Sequence, residues 1–307
     1  MLIQQQVVVD PALSNISIKY TNDTFIADLI APMIKTSKQT GKYFIYDKSN
    51  LRIDQTTRAV GAGANEVDIG VSPTGVFACD DHALKGFVAT EIQDQADAPL
   101  NPLIDETEAI TEKLMLDREN KLATLLQNTS NLTQNVTLAS TAQWSDYTNS
   151  DPIGDIRTAR TTIHQNTFKK PNTIVMSKLV IDMLSEHPQI IDRIKYSQLG
   201  VTTEELLAKI FKVDKILVGE AGSNTAKEGQ TDALAYVWGK GVIVAYIAPA
   251  VRIKMLTLAV TFTYSVRQVV RWNDFDKKGT YIRVGDDNYT QVIIAAAAGY
   301  LIQNAIA

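Results

Sequence analysis

The chain of 307 residues contains one cysteine, Cys79. A single thiol excludes an intrachain disulfide framework and any metal site built on clustered thiolates. Its expected role is that of a small, partly buried hydrophobe. Histidine is almost as scarce: His82, His164 and His187 are widely spaced and lie in different local patterns. No HExxH, GxSxG or Cys–His set accompanies them, so no catalytic or metal-binding constellation is expected, and no cofactor. His187, before Pro188, reads as a helix-end residue with a capping or structural role. Long apolar runs are also missing. The most apolar tract, 292–298, is too short and too rich in alanine to span a bilayer, so no membrane association is expected. The opening MLIQQQVVVDP lacks the basic region of a secretory signal. Finally, there is no basic excess. Lys and Arg number 30 against 34 Asp and Glu, a net charge of −4, which argues against a dedicated nucleic-acid binder.

What is present is architecture. Hydrophobic residues make up 45% of the chain, enough for a sizeable core and too many for a disordered protein. The stretch that organises the rest is 101–128, NPLIDETEAITEKLMLDRENKLATLLQN. Asn101 is placed to cap a helix, with Pro102 at its first position. Acidic residues crowd the first turns, as the helix dipole favours. Leu103, Ile110, Leu114, Leu122 and Leu125 form a thin apolar stripe, flanked by Met115 and Leu126. Glu112, Lys113, Asp117, Arg118, Glu119 and Lys121 are assigned to the polar face, with Asp117 and Lys121 in the favourable i,i+4 order. Such a helix runs roughly 40 Å. Carboxylates such as Glu108 and Glu112 read as a solvated face rather than as an acid–base pair.

Residues 1–40 read as an arm that cannot form a core alone. Residues 41–92 read as a long β-hairpin with a glycine-rich tip. Gly61 and Gly63 lack the spacing of a phosphate loop. Trp144 is expected to be an anchoring aromatic. From Asp151 the pattern alternates helix and strand to about 250, with a strand pair expected around Trp238–Gly241 over 236–246. Beyond it, 251–270 reads as one long half-buried strand, because Leu256, Leu258, Val260, Phe262, Tyr264 and Val266 alternate with small or polar residues. A turn at 276–279, two further strands and an apolar end follow.

Several of these stretches resemble the major capsid proteins of tailed bacteriophages, with the Hong Kong 97 type of fold. The most specific is KPNTIVMSKLVIDMLSEHPQIIDRIKY, 170–196. VDKILVGEAGSNTAKEGQTDALAYVWGKGVIVAYIAP (213–249), RQVVRWNDFDKKGTYIRVGDD (267–287) and AGYLIQNAI (298–306) are similar to the segments that follow in that family. The resemblance is dense in the C-terminal half and covers the N-terminal half mainly in the order of parts.

The resemblance implies an α+β structural protein rather than an enzyme. Its parts would be an N-terminal arm (1–40), an extended loop (41–92), a spine helix with the first part of a peripheral domain (93–150), an axial domain (151–250) and peripheral return strands with the C-terminus (251–307). It implies pentamers and hexamers closing into an icosahedral shell around double-stranded DNA, assembled in the host bacterial cytoplasm and found in the virion. Scaffolding, portal, and decoration or head–tail proteins are the implied partners. A separate scaffold is expected, because the chain begins almost at the arm. No residue matches the family's lysine–asparagine crosslink. An encapsulin-like nanocompartment shell, which shares the fold, is the alternative. Arg58, Glu66, Asp68 and Glu106 are candidate subunit contacts, setting register through complementary charges. Lys19, Lys35, Lys38 and Lys42 are candidates for weak, non-specific contact with packaged DNA.

Overall fold

The computed structural model describes residues 8–19, 24–46, 52–54, 56–66, 71–96, 100–195, 203–227, 229–250 and 256–307. The chain opens with β1 (Val8–Val9), α1 (Pro11–Lys19), α2 (Ala27–Ile30) and β2 (Met33–Lys35). A ribbon of β3 (Thr40–Tyr46) and β4 (Val71–Ala78) leads to β5 (Asp80–Ala89) and α3 (Thr90–Gln95). Then come the long helix α4 (Pro102–Gln127) and β6 (Asn135–Thr137). An α/β run follows: α5 (Pro152–Thr167), β7 (Thr173–Ser177), α6 (Lys178–Ser185), α7 (Pro188–Ile194), α8 (Glu204–Phe211) and β8 (Lys215–Gly219). The remaining strands are β9 (Gly222–Asn224), β10 (Leu234–Tyr236), β11 (Val242–Ala245), β12 (Ala259–Thr263), β13 (Gln268–Asp274), β14 (Gly279–Ile293) and β15 (Gly299–Gln303).

Two sheets carry the fold. The first has the order β1-β13-β14-β12-β2, with β5 also paired to β14. Its axis is the 15-residue β14. β13 pairs along residues 279–285 of β14, β12 along 289–293, and β5 along the other edge across a bulge between Val284 and Asp287. The described part of the arm lies on this sheet of its own chain: β1 pairs with β13 and β2 runs parallel to β12. Asp10 caps α1 by accepting from the Ala12 and Leu13 amides and pairs with Arg271 at 3.0 Å.

The second sheet has the order β6-β15-β11-β7-β8 and is covered on both faces. β7 and β11 are buried at every position, the mark of strands covered on both sides. Ile174, Met176, Val242, Val244 and Ile302 face a core built with α5 to α8. The alternate residues Val175, Leu217, Ile243, Ala245 and Leu301 face a second core. That core includes Leu122, Ala123 and Leu126 of α4. The other half of α4 packs Ile110 and Leu114 against Val88, Val269, Ile282 and Val284 of the first sheet. One helix of 26 residues is therefore anchored in both bodies.

Two expectations need correction. The long strand expected at 251–270 breaks into β12 and β13, with Tyr264 and Val266 exposed. Burial does not alternate in β12, because Ala259 packs with Ile30 and Ala31 while Val260 and Phe262 pack with Tyr43 and Phe77, so both faces are covered. The Thr261 hydroxyl donates to the Ala31 carbonyl (2.9 Å), which makes a nominally polar position an interior one. Second, β10 and β11 do not pair with each other across Trp238–Gly241. β10 pairs with β9, and β11 lies between β15 and β7. The strands at 251–307 divide between the sheets: β12 to β14 build the first and β15 the second.

Gly219 ends β8 directly beneath Trp238, where a Cβ would drive into the indole ring. Gly219→Ala is expected to lower stability by about 1–3 kcal/mol through overpacking, measured by urea denaturation of unassembled subunits. A loss below about 0.5 kcal/mol would contradict this contact.

Candidate functional site

Among the described residues, no group of three or more His, Cys, Asp or Glu side chains is placed to hold a metal. Among those residues too, no helix is long and apolar enough to cross a membrane. The singular features are instead the projecting ribbon, the long helix and the polar junction where arm, helix and both sheets meet.

The ribbon pairs β3 with β4 and with no other described strand. Its base is anchored by aromatic packing. Phe77 stacks on Phe262 at 4.4 Å between centroids and Tyr43 lies 5.8 Å from the same ring. Cys79 is buried beside them, as expected for a small hydrophobe, and burial pushes its thiol pKa up. Beyond the strands, Ile53 and Val60 are fully exposed. Arg58 is exposed and donates to the Ala62 carbonyl (3.2 Å); Glu66 is exposed; Asp68 lies outside the described residues. Glu106 is half-buried on α4 and lies over Gly86 of β5. Lys35, Lys38 and Lys42 are exposed, whereas the Lys19 side chain lies outside the described set.

Helix α4 has the expected start. Asn101 accepts from the Ile104 amide and Pro102 follows it. Asp117 and Lys121 form the expected pair at 2.6 Å. Glu119, assigned to the polar face, is fully buried. Its carboxylate accepts from Trp238 Nε1–H (2.6 Å), the Ala27 amide (2.7 Å) and the Ile26 amide (3.1 Å). Burial pushes its pKa up, and these donors pull it part of the way back. One carboxylate thus ties the arm and the Trp238 loop to the middle of α4.

A second polar group sits alongside. Arg118 pairs with Asp28 at 2.7 Å and its guanidinium lies 4.9 Å from the Tyr289 ring centroid. Arg267 donates to the Ser17 carbonyl (2.6 Å), and the Ser17 hydroxyl meets that of Thr111 at 2.8 Å. Asp287, just past the β14 bulge, is half-buried. Its pKa is raised by burial and drawn down by Arg118 and Arg267. His82 stacks on Tyr289 at 4.2 Å, and Lys121 Nζ stands 3.4 Å from its Nδ1. Reading by residue type missed Glu119, Arg118 and Asp287. The available signal was helical phase: Glu119 stands three residues before Leu122 and seven before Leu126, on the apolar stripe.

In the α/β part, His187 caps α7. Its Nδ1 accepts from the Gln189 amide (3.2 Å) and its Nε2 lies 3.0 Å from the Ser150 hydroxyl. Burial lowers its pKa. The neutral ring therefore contributes stability above the unfolded value of about 6.5, and that contribution is lost as pH falls through the lowered folded value. The stability gap between the parent and His187→Gln should be widest near pH 7.5 and shrink toward pH 5. Thermal unfolding of both proteins across that range checks it, and a constant gap would contradict it. Trp144 is fully buried, as an anchor should be, and donates to Asp155 (2.9 Å).

Comparison with known proteins bears on this architecture. A family model described as "Phage major capsid protein E" matches residues 107–261, from within α4 through β6 to β11 and into β12. The major capsid protein of Burkholderia phage BcepMu is 31% identical over 302 residues, covering 96% of both chains. That of Pseudomonas phage JBD67 is 28% identical over 308 residues, covering 97% of both. Among solved structures, a phage-related protein from Bordetella bronchiseptica RB50 superposes with a TM-score of 0.78 at 25% identity, covering 98% of this chain and 99% of that one. The capsid of cyanophage P-SCSP1u gives 0.64 at 10% identity, over 89% of this chain and 86% of that one, a likeness of fold alone. The mixed helix–sheet fold is one shared with solved phage capsids. The chain belongs to the family of phage major capsid proteins.

Proposed function

We propose that copies of this chain assemble as pentamers and hexamers into an icosahedral head around double-stranded DNA, on a fold of the Hong Kong 97 type. The observation that carries the proposal is 31% identity to a phage major capsid protein across 96% of both chains. In this reading α4 is the spine, the ribbon and its tip (41–92) are the extended loop, and 151–250 is the axial domain. Residues 93–150 and 251–307 supply the peripheral domain, while β6 and β15 reach into the axial sheet. The function is structural and non-enzymatic.

Arg58, Glu66, Asp68 and Glu106 contact neighbouring subunits, and exposed Lys35, Lys38 and Lys42 meet packaged DNA weakly. The exposed tip side chains support the loop's role, since Ile53 and Val60 have no partner surface among the described residues. Scaffolding, portal, and decoration or head–tail proteins complete the assembly, which takes place in the bacterial cytoplasm.

Negative-stain microscopy of the protein, purified with and without a co-expressed scaffold, tests the reading. Uniform closed shells or capsomers are expected. A monomer with no higher assemblies in either case would overturn it. Nucleic acid inside particles recovered from infected cells separates a genome-filled head from a cargo compartment.

A further inference from the structure

The α/β part carries opposite charges at its two ends. Between α5, α7 and the end of α8 lies a recess of about 270 Å³. Arg157, Arg160, Arg193 and Lys212 line it, and no acidic side chain does. Its remaining walls are apolar, with Ile210 and Phe211 at the end of α8. Among the described residues none of these four cations forms an ion pair, and Arg160 Nε is buried without a hydrogen-bond partner. Lys212 holds the left-handed position that ends α8, beside the helix's negative pole. Four cations around an apolar recess constitute an unfilled demand for a carboxylate or phosphate.

The other end of α8 has the opposite character. Where β7 and β8 give way to Lys178 and Glu220, exposed Asp182, Glu204 and Glu220 gather round Lys178. Lys178 pairs with Asp182 at 3.2 Å, and all three carboxylates raise its pKa. Asp182 alone is within ion-pairing distance of this ammonium, so Glu204 and Glu220 leave negative charge in excess. Because α8 has eight residues, the two patches stand roughly 12 Å or more apart along it.

We infer that the Arg157–Arg160–Arg193–Lys212 recess of one copy receives the Asp182–Glu204–Glu220 end of the next copy. The α/β parts thus join head to tail. This rests on the assembly reading above and adds to it which surfaces meet. Unlike faces on one chain make a heterologous contact, and a heterologous contact with a closing rotation makes a ring. The recess suits carboxylates on short side chains. A duplex backbone needs a continuous basic track, whereas the adjoining recess of about 370 Å³ is lined by Asp151 and Asp192 as well as Arg157 and Arg193.

The experiment compares four full-length proteins: the parent, Arg157→Glu/Arg193→Glu, Glu204→Lys/Glu220→Lys, and the chain carrying all four changes. Circular dichroism and thermal unfolding first establish that each subunit folds. Sedimentation and electron microscopy then give the assembled fraction at roughly 0.05 M and 0.3 M salt, on either side of strong screening. Each two-residue reversal should reduce the assembled fraction about tenfold at the lower salt, and the combined chain should recover most of it, because the two charges are exchanged together. Mixing the two single-patch variants should also restore even-numbered rings, since their faces then alternate in sign.

Assembly of either two-residue variant at the parent's level would overturn the contact, as would a combined chain no better than its worse parent. Normal assembly with reduced DNA retention in the recess variant would instead make the recess a nucleic-acid site. If the parent itself forms no shells, the function reading fails separately. Sedimentation-velocity self-association of the same four proteins then decides the contact.

Discussion

Glu119→Ala is expected to destabilise the unassembled subunit by about 3–5 kcal/mol, as when one partner of a buried charged network is removed. Three donors converge on this carboxylate: the Trp238 indole and the amides of Ile26 and Ala27. Alanine leaves all three inside the protein without an acceptor, each at a cost of about 1–3 kcal/mol before relaxation, and it opens a void under α2. Glu119→Gln keeps the volume and one acceptor oxygen. Its amide group must then turn N–H bonds toward N–H donors, so about 1–3 kcal/mol is expected. Trp238→Phe removes one donor and leaves the two amides satisfied, giving the mildest loss of the three. Urea denaturation followed by circular dichroism ranks them. The alanine variant should also expose the arm to limited proteolysis around residues 24–31, because the carboxylate is what holds Ile26 and Ala27. A Glu119→Ala loss under about 1 kcal/mol would show that the donors find other partners.

Replacing residues 52–66 with a short Gly–Ser link is expected to abolish shell formation while leaving the subunit folded. The stretch lies beyond the ribbon's strands, and among its described residues Ile53 and Val60 are fully exposed. Substitutions at exposed positions of this kind change stability by about 0.5 kcal/mol or less. The aromatic anchor at the ribbon base, Tyr43, Phe77 and Phe262, is untouched. Assembly loses a contact repeated in every subunit, and such losses compound around a closed shell. The comparison needs two measurements on one protein: a thermal midpoint near the parent's and no sedimenting particles. Shells in normal yield would exclude the tip from subunit contact. A collapsed midpoint would mean that the tip supports its own subunit.

The helices were legible where local signals decide them. Asn101–Pro102 and Asp151–Pro152 each place a side-chain cap before a proline, and both helices start there. The alternating helix–strand run from 151 emerged because its strands are short, apolar and bounded by caps. Glu119 was misread because residue type was allowed to outrank helical phase: a charged residue on the stripe reads as surface until Trp238, 119 residues away, supplies the partner. The segment 256–267 failed for the opposite reason. Its period of two is real in the sequence, but the arm covers the face that threonine and alanine present, and that cover comes from α2 and Ala31. The pairing of β10 with β9 was hidden because register belongs to strand partners, not to the short segment between Tyr236 and Val242. The cationic recess was equally invisible, since Arg157, Arg193 and Lys212 are brought together only by the packing of three helices.

The position of β15 has a consequence for when a subunit becomes competent. This strand lies inside the second sheet, between β6 and β11, and residues 246–298 intervene between β11 and it. As the chain leaves the ribosome, the α/β part can collapse early but cannot close its sheet until residues 299–303 emerge. Until then β11 presents an open edge, a surface that invites wrong partners. Chains cut short anywhere in the intervening stretch remain unfinished rather than nearly native. In a lattice where one faulty tile spoils a whole shell, tying closure of the sheet to a late strand keeps abortive products from passing as building blocks.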